Sequence, residues 1–367
     1  MTAADSRDRI RQLSRLPIWV SPMAGGPSVP GLVTAAAQAG GLGWLAGGYK
    51  TAAAMRAEIS AVREAGTGAF GVNLFVPGAP TRDRGALAGY LASLQADADQ
   101  LGAAAGDPAW DDDHWDAKLA ALADGPPPAV SFTFGCPPAR TIRGLQDAGA
   151  IVLVTVTSER EAVIAAGAGA DGLCVQGPEA GAHRGFFTND PGPGPAGGPE
   201  PGSSEPSPAG GTDQAGPGLL ELLAGVAKAA DLPLVAAGGI SDASDVTAAL
   251  AAGAIAVQAG TAFLRCPESG AHPLHKAALA DPRFTAIVVT RAFSGRPARA
   301  LANQFTTEHA GAPAAYPEIN NATRPLRAAA GAAGDTGRMS LYAGQGFRSA
   351  SDRPAGEIIG QLAEGVS

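Results

Sequence analysis

Eight short apolar runs recur along this chain, each closed by glycine or proline, and a helical pattern follows each of the first seven. They occupy residues 17–20, 41–45, 69–76, 129–134, 151–156, 172–175, 232–236 and 254–257. Strands alternating with helical patterns imply parallel βαβ units. Eight such units close into a (β/α)8 barrel, the TIM barrel of α/β enzymes. An open doubly wound sheet shows the same alternation, but the count of eight favours the closed form. Helices are expected over 29–39, 52–65, 139–147, 219–230 and 242–252. Thr51 reads as an N-cap, and Ser158 with Glu161 as a capping box opening a further helix. Residues 80–125 read as two helices split near Gly106-Asp107-Pro108. The eighth helix is displaced to 353–365. Residues 267–345 stand before it as mixed helix and loop, a lid-like subdomain over the barrel mouth. The expected division is 1–266 plus 346–367 for the barrel and 267–345 for the smaller subdomain.

Composition narrows the partners. The chain of 367 residues is long enough to bury a core without disulfide or metal staples. Hydrophobic residues at 46% against 16% charged, with 51 glycines and 30 prolines, suit an α/β enzyme with many tight loops. A net charge of −8 with no basic stripe speaks against nucleic acid and anionic membranes. No apolar run approaches the ~20 residues that span a bilayer. Residues 1–16 are charged and lack the apolar stretch of a secretory signal. A soluble, cytoplasmic protein is therefore expected, and either a monomer or a homodimer is compatible with the sequence. Cys136, Cys174 and Cys266 lie far apart with no CxxC, which indicates neither a disulfide framework nor a zinc site. His272 and His275 have no third ligand nearby, so no metal is expected. His114 and His309 read as surface residues, and Asp111 to Asp113 as a solvated acidic face. Residues 189–218 hold no large apolar side chain. Such a run buries too little to offset its ordering entropy and reads as a disordered insert.

In barrels of this kind, loops at the C-terminal strand ends build the site. That gathers Met23-Ala24-Gly25, Asn73, Gly135-Cys136, Gln176 to His183, Gly238-Gly239 and Gln258 to Thr261 around one mouth. His183 follows the sixth run in a glycine-rich loop. An imidazole takes and returns a proton near neutral pH, so it is a candidate base. A loop histidine satisfied by backbone or water is the plain alternative. Loops after the seventh and eighth strands often bind phosphate through backbone N–H groups. Here these carry Gly238 and Gly239, and Gln258, Ala259, Gly260 and Thr261. Asn73 and Gln176 each offer a donor and an acceptor. This suits the edge of a flavin or another heteroaromatic ring, or equally a bond to neighbouring backbone. Ser131 and Thr133 share one face of their strand and, with Tyr342, are substrate-pocket candidates. Cys136 sits near the mouth, although a small buried thiol is the commoner role. With no GxSxG elbow, no Ser-His-Asp triad is expected.

Several segments, taken in order, resemble the class I nitronate monooxygenases, formerly called 2-nitropropane dioxygenases. They are Ser21-Pro22-Met23-Ala24-Gly25, Gly71-Val72-Asn73-Leu74-Phe75, Ser131-Phe132-Thr133-Phe134-Gly135 and Glu179-Ala180-Gly181-Ala182-His183-Arg184-Gly185. Ala236-Ala237-Gly238-Gly239-Ile240, Gln258-Ala259-Gly260-Thr261, Phe293-Ser294-Gly295-Arg296-Pro297-Ala298-Arg299 and Ser340-Leu341-Tyr342-Ala343-Gly344-Gln345-Gly346 follow. The resemblance runs from about Leu16 to the end, leaving out the insert. It implies a TIM barrel holding FMN non-covalently, with a smaller domain over the pocket. It implies FMN contacts from Pro22, Met23, Ala24, Asn73, Gln176, Gly181, Gly239 and Gln258 to Thr261. His183 matches the family's base, which takes the α-proton of a nitroalkane or steadies a nitronate. The implied reaction is oxidative denitrification with O2, giving a carbonyl compound and nitrite, and the family's typical substrate is propionate 3-nitronate. Ala182 departs from the glycine usual before the histidine, and the insert follows the His loop directly.

The nearest rival is an FMN-dependent NAD(P)H:quinone or enoyl-thioester reductase of the same superfamily, which also places a histidine after strand six. The Ser-Phe-Thr-Phe-Gly run favours the nitronate enzyme, and no nicotinamide motif is visible. An inactive flavin-binding protein is a further alternative. A flavin-free nucleotide dehydrogenase fits less well, because its catalytic cysteine loop would follow a different strand from Cys136.

Overall fold

The computed structural model describes residues 3–189 and 217–366, so the insert expected over 189–218 lies almost wholly outside the described residues. Among the described residues there are eleven strands: β1 (Ile18–Val20), β2 (Leu42–Ala46), β3 (Gly71–Phe75), β4 (Ala129–Thr133), β5 (Ile151–Val156), β6 (Gly172–Gln176), β7 (Ala182–His183), β8 (Leu234–Ala237), β9 (Ala256–Ala259), β10 (Ile287–Thr290) and β11 (Ala298–Leu301). Eight of them close into one parallel barrel in the order β1-β2-β3-β4-β5-β6-β8-β9. Closure is made by β9 on β1, with Val257 opposite Ile18 and Ala259 opposite Val20. The fold is the expected (β/α)8 barrel, and the open sheet is excluded.

The helices cover the barrel through two large apolar clusters. Ala52–Glu64 starts where expected, with the Thr51 side chain accepting from Ala54 N–H at 3.2 Å. The closing helix, Ala355–Leu362, packs against Pro30–Gln38 and completes the ring. A helix the sequence reading left unassigned, Ala3–Arg11, places Ile10 beside Trp19, Trp44, Leu153 and Val235 at the N-terminal strand ends. Trp44 lies flat on Gly71, where an added Cβ would come within 2.2 Å of the indole. That strand glycine is set by packing. Among the described residues, no helix is long and apolar enough to cross a membrane.

Three expectations need correction. Residues 80–125 hold three helices, Arg84–Ser93, Gln95–Leu101 and Trp115–Ala123. Gly102, at φ 60°, ends the second, and the chain then runs extended along Glu318–Ala333, with Gly106 N–H donating to Ala322 O at 2.8 Å. The capping box at Ser158 is half made. Ser158 Oγ accepts from Glu161 N–H, but the Glu161 carboxylate accepts from Thr157 N–H at 2.6 Å and Phe187 N–H at 2.8 Å. A longer-range partner has won that side chain. Finally, the segment 267–345 contains strands as well as helices. β10, β11 and the two-residue β7 form an antiparallel sheet beside the barrel mouth. Its apolar core unites Phe293, Phe305, Ile319 and Leu326 with Leu87, Tyr90 and Leu94 from the helices before β4.

Candidate active site

Gly177-Pro178 stops β6, as a residue without N–H must. The loop beyond it carries its carbonyls toward buried arginines. Arg184 Nη1 donates to Gly177 O at 2.7 Å, Arg299 Nη2 to Pro178 O at 2.6 Å and Arg299 Nε to Ala180 O at 3.3 Å. Arg296 reaches the Arg184 carbonyl at 3.4 Å and also holds the Phe186 carbonyl. The loop then pairs with β11, placing His183 opposite Ala298. Gly181 is demanded by the protein itself, because a Cβ there would lie 2.5 Å from Gly344 N.

His183 is half-buried, and its Nε2 lies 2.8 Å from Ser294 Oγ. Ser294 Oγ is in turn fixed by the backbone of Arg296, donating to its carbonyl or accepting from its N–H. The imidazole is boxed by Tyr342, Phe134 and Tyr316, with ring centroids 5.3, 5.6 and 6.0 Å away. The Arg296 guanidinium stacks over Phe134 at 4.0 Å. Tyr316 donates to the Tyr49 hydroxyl at 3.3 Å. No carboxylate contacts the imidazole among the described residues. Burial, then the charges of Arg296 and Arg327, push His183 down to about 3, so the ring is neutral at pH 7. Among the described residues, five non-glycine residues have left-handed φ, and three of them, Tyr49, Phe134 and Ala182, border this box. The other two, Asp113 and His114, form the turn whose Asp113 carboxylate accepts from Tyr49 N–H at 3.0 Å. Backbone strain concentrated around one pocket points to function there.

A belt of polar groups crosses the strand ends beside the box. Asn73 donates to Ser131 Oγ at 2.9 Å and Thr133 Oγ1 at 3.0 Å, Thr133 meets Thr155 at 3.2 Å, and Cys174 donates to Gln258 Oε1 at 3.0 Å. Gln176 is committed to the His loop: it donates to His183 O at 3.1 Å and accepts from Gly185 N–H at 2.7 Å. Of the two roles open for that amide, the local one is the one seen.

The loops after β8 and β9 stand next around the barrel. Gly238 and Gly239 have φ of 91° and 73°, which only glycine adopts freely. Among the described residues, the amides of Gly238, Gly239, Gly260 and Thr261 donate to no acceptor. Unpaired backbone N–H groups on strand-end loops are the donors that bind anions in barrels of this kind. The loop after β1 adjoins the loop after β9, since a Cβ on Gly260 would lie 3.4 Å from Ser21 Cβ and 3.6 Å from the Met23 sulfur. Pro22, Met23 and Ala24 are partly exposed on that loop. Gly344 N–H donates to Thr261 Oγ1 at 2.9 Å and Gln345 N–H to Glu179 O at 3.1 Å. These bonds tie the segment after Tyr342 to the same rim.

A family model described as nitronate monooxygenase matches residues 8–365 of the chain. The chain belongs to the nitronate monooxygenase family. It is therefore an enzyme of the oxidoreductase class. A nitronate monooxygenase of Pseudomonas aeruginosa is 39% identical, covering 95% of both chains. One from Paraburkholderia phytofirmans is 36% identical, covering 94% of this chain and 91% of the relative. Among solved structures, a nitroalkane oxidase from Streptomyces ansochromogenes superposes with a TM-score of 0.88 at 48% identity, covering 97% of each chain. FabK from Thermotoga maritima superposes with a TM-score of 0.68 at 25% identity, covering 97% of this chain and 94% of the other.

Within this nitronate monooxygenase fold, the residues that enclose His183 include several to which the sequence reading gave no role. Ser294 and Arg296 lay inside a segment that resembled the family, while Phe134 closed a strand. Tyr49 and Tyr316 carried no local signal, because tertiary pairing alone brings them together. Other expectations changed. Asp113 is no solvated residue: it pairs with buried Lys118 at 2.7 Å and holds the Tyr49 turn. His309, expected at the surface, is buried in the cap. His272 caps the helix Pro273–Ala280, accepting from Leu274 N–H, and buried His275 bonds Tyr342 O at 3.0 Å. Cys136 is half-buried, and burial raises its thiol to about 11. It packs against both barrel clusters.

Proposed function

We propose that this chain carries out FMN-dependent oxidative denitrification of nitronates, either propionate 3-nitronate or small alkyl nitronates, with O2, giving a carbonyl compound and nitrite. The observation that carries this reading is the uncharged His183, fixed by Ser294 inside an aromatic box beside the Arg296 cation. A nitronate is a small planar anion. The guanidinium favours its charge, the aromatic walls match its flat shape, and a neutral imidazole steadies an oxygen without repelling it. An imidazole this weakly basic in the empty box is a poor acceptor for the α-proton of a neutral nitroalkane. An anion entering the box offsets the guanidinium charge and restores some of that basicity. The ionised nitronate is therefore the favoured form of substrate.

The residues present fit the cofactor. The unpaired amides of Gly238, Gly239, Gly260 and Thr261 suit its phosphate. Pro22, Met23, Ala24, Asn73, Gly181, Gln258 and Ala259 would hold its ring system, and Gln176 would act through the His loop. FMN, when bound, supplies the electron acceptor and the return of electrons to oxygen. Ser131 and Thr133 hold Asn73 in place at the pocket floor, and Tyr342 walls the substrate. The division into a barrel of 1–266 plus 346–367 and a cap of 267–345 fits this reading, with the helices of 84–101 joining the cap. The working form is a cytoplasmic monomer or homodimer.

The test is an absorbance spectrum of the purified protein, followed by nitrite release from propionate 3-nitronate in air. A flavin spectrum and nitrite are expected. Colourless protein that takes up no FMN would sink the proposal. Anaerobic mixing with NADH separates the reductase alternative, for which rapid bleaching is required.

A further inference from the structure

The cap buries His309 beside a carboxylate. His309 Nε2 lies 2.7 Å from Asp97 Oδ2, and its Nδ1 lies 3.3 Å from Ser93 Oγ. Arg338 Nε donates to Asp97 Oδ1 at 2.7 Å, which fixes the carboxylate and leaves Oδ2 to the imidazole. Tyr90 and Phe305 flank the ring, with centroids at 5.5 and 4.3 Å. Asp97 and His309 are buried while Ser93 is exposed. Ser93 and His309 line one open cavity of about 370 Å³ together with Tyr90, Gly311 and Pro313.

We propose that Ser93, His309 and Asp97 form a second, hydrolytic site for small neutral acyl esters. A nucleophile, a base and a carboxylate in this contact order are recognised by geometry and role on any fold. The Asp97 carboxylate can only accept, so it holds the proton on Nε2 and leaves the Nδ1 lone pair facing Ser93. Ser93 Oγ donates to Tyr90 O at 2.7 Å when no ester is present. Turning the hydroxyl hydrogen alone redirects it to His309. Ser93 Oγ then adds to the ester carbonyl while its proton passes to Nδ1. The carbon–oxygen bond to the alcohol breaks, and the alcohol leaves with that proton. Water repeats the sequence on the acylated serine and releases the carboxylic acid, so no oxidant or reductant is needed. The Gly311 N–H donates to no acceptor among the described residues and is the available donor for the developing oxyanion. Glu308 borders the cavity and disfavours anionic esters.

Asp97, Glu308 and His309 are close enough together to share a metal ion. Arg338 already occupies that role, 2.7 Å from Asp97 and 3.8 Å from Glu308, so no metal is proposed.

The full-length protein is treated with p-nitrophenyl acetate and, separately, with a fluorophosphonate probe read by intact mass and peptide mapping. One adduct at Ser93 is expected. Ser93→Ala is expected to lower ester hydrolysis at least about 10²-fold, with nitrite release from nitronate unchanged. Asp97→Asn, measured alongside, should lower hydrolysis as well. A label mapping elsewhere, or Ser93→Ala hydrolysing the ester as fast as the parent, overturns the proposal. Ser93 is exposed, so its replacement leaves folding intact and neither outcome is ambiguous.

Discussion

The molecule encloses His183 and His309 in opposite electrostatic settings. His183, at the barrel mouth, meets a serine, three aromatic rings and the Arg296 guanidinium, with no carboxylate in contact. His309, in the cap, has the Asp97 carboxylate on one nitrogen and a serine on the other. An imidazole beside cations is held neutral and welcomes an anion. An imidazole beside a carboxylate is oriented and can hold a proton in passing. The side chain is the same, and its neighbours decide whether it suits binding charge or moving protons.

The sharpest way to break this contrast is His183→Asn. Nitrite release from a neutral nitroalkane is expected to fall by about 10²–10⁴-fold, the usual cost of removing an acid–base group, while turnover of preformed nitronate falls far less, with FMN retained and ester hydrolysis untouched. Loss of both activities together would show that the two histidines are not independent. Arg296→Met comes next. Removing a charge-assisted contact worth roughly 1.5–3 kcal/mol should raise KM for an anionic nitronate by about 10- to 100-fold. It should also move the His183 pKa upward, since Arg296 is one cause of its depression. An unchanged KM would remove Arg296 from substrate recognition.

The contrast also predicts an acid response. Burial lowers His183 to about 3 and His275 to about 4, against an unfolded value near 6.5. As pH falls from 6.5 toward 4, the unfolded chain takes up protons that the folded chain refuses, so stability falls. Each group contributes up to about 1.4 kcal/mol per pH unit in that window. Urea unfolding of His183→Asn between pH 6 and 4.5 should therefore show a shallower slope than the parent. Equal slopes would mean that His183 is protonated without unfolding.

How much of this was legible in the chain depended on distance along it. Barrel strands such as β5 and β6 were readable because continuous apolar runs end at glycine or proline within a few residues. His183 and the glycine loops were readable for the same local reason. Gln176 showed only its chemistry, and the bond to the His183 carbonyl needed the folded loop. Glu161 looked like half of a capping box until Phe187, 26 residues away, claimed its carboxylate. β7 and β11 were invisible, because two residues of one and an Ala-Arg-Ala-Leu run of the other carry almost no strand signal. His309 read as surface because Asp97, its charge partner, and Tyr90, which flanks its ring, lie more than 200 residues before it. Local punctuation survives in a sequence; charge partners drawn from distant segments do not.

The smallest expected effect tests the loop itself. Ala182 sits at φ 59° immediately before His183, where the family resemblance led one to expect glycine. A left-handed alanine costs roughly 1–2 kcal/mol in the native state. Glycine removes that cost but adds about 0.5–1 kcal/mol of unfolded-chain entropy. Ala182→Gly should therefore stabilise the protein by between about 0 and 1.5 kcal/mol in urea unfolding. Because Ser294 and the pairing with Ala298 pin the imidazole independently of residue 182, nitrite release should change less than about twofold. A large gain in turnover would instead show that Ala182 strains the histidine, and that His183 owes its position to the loop before it more than to the serine beyond it.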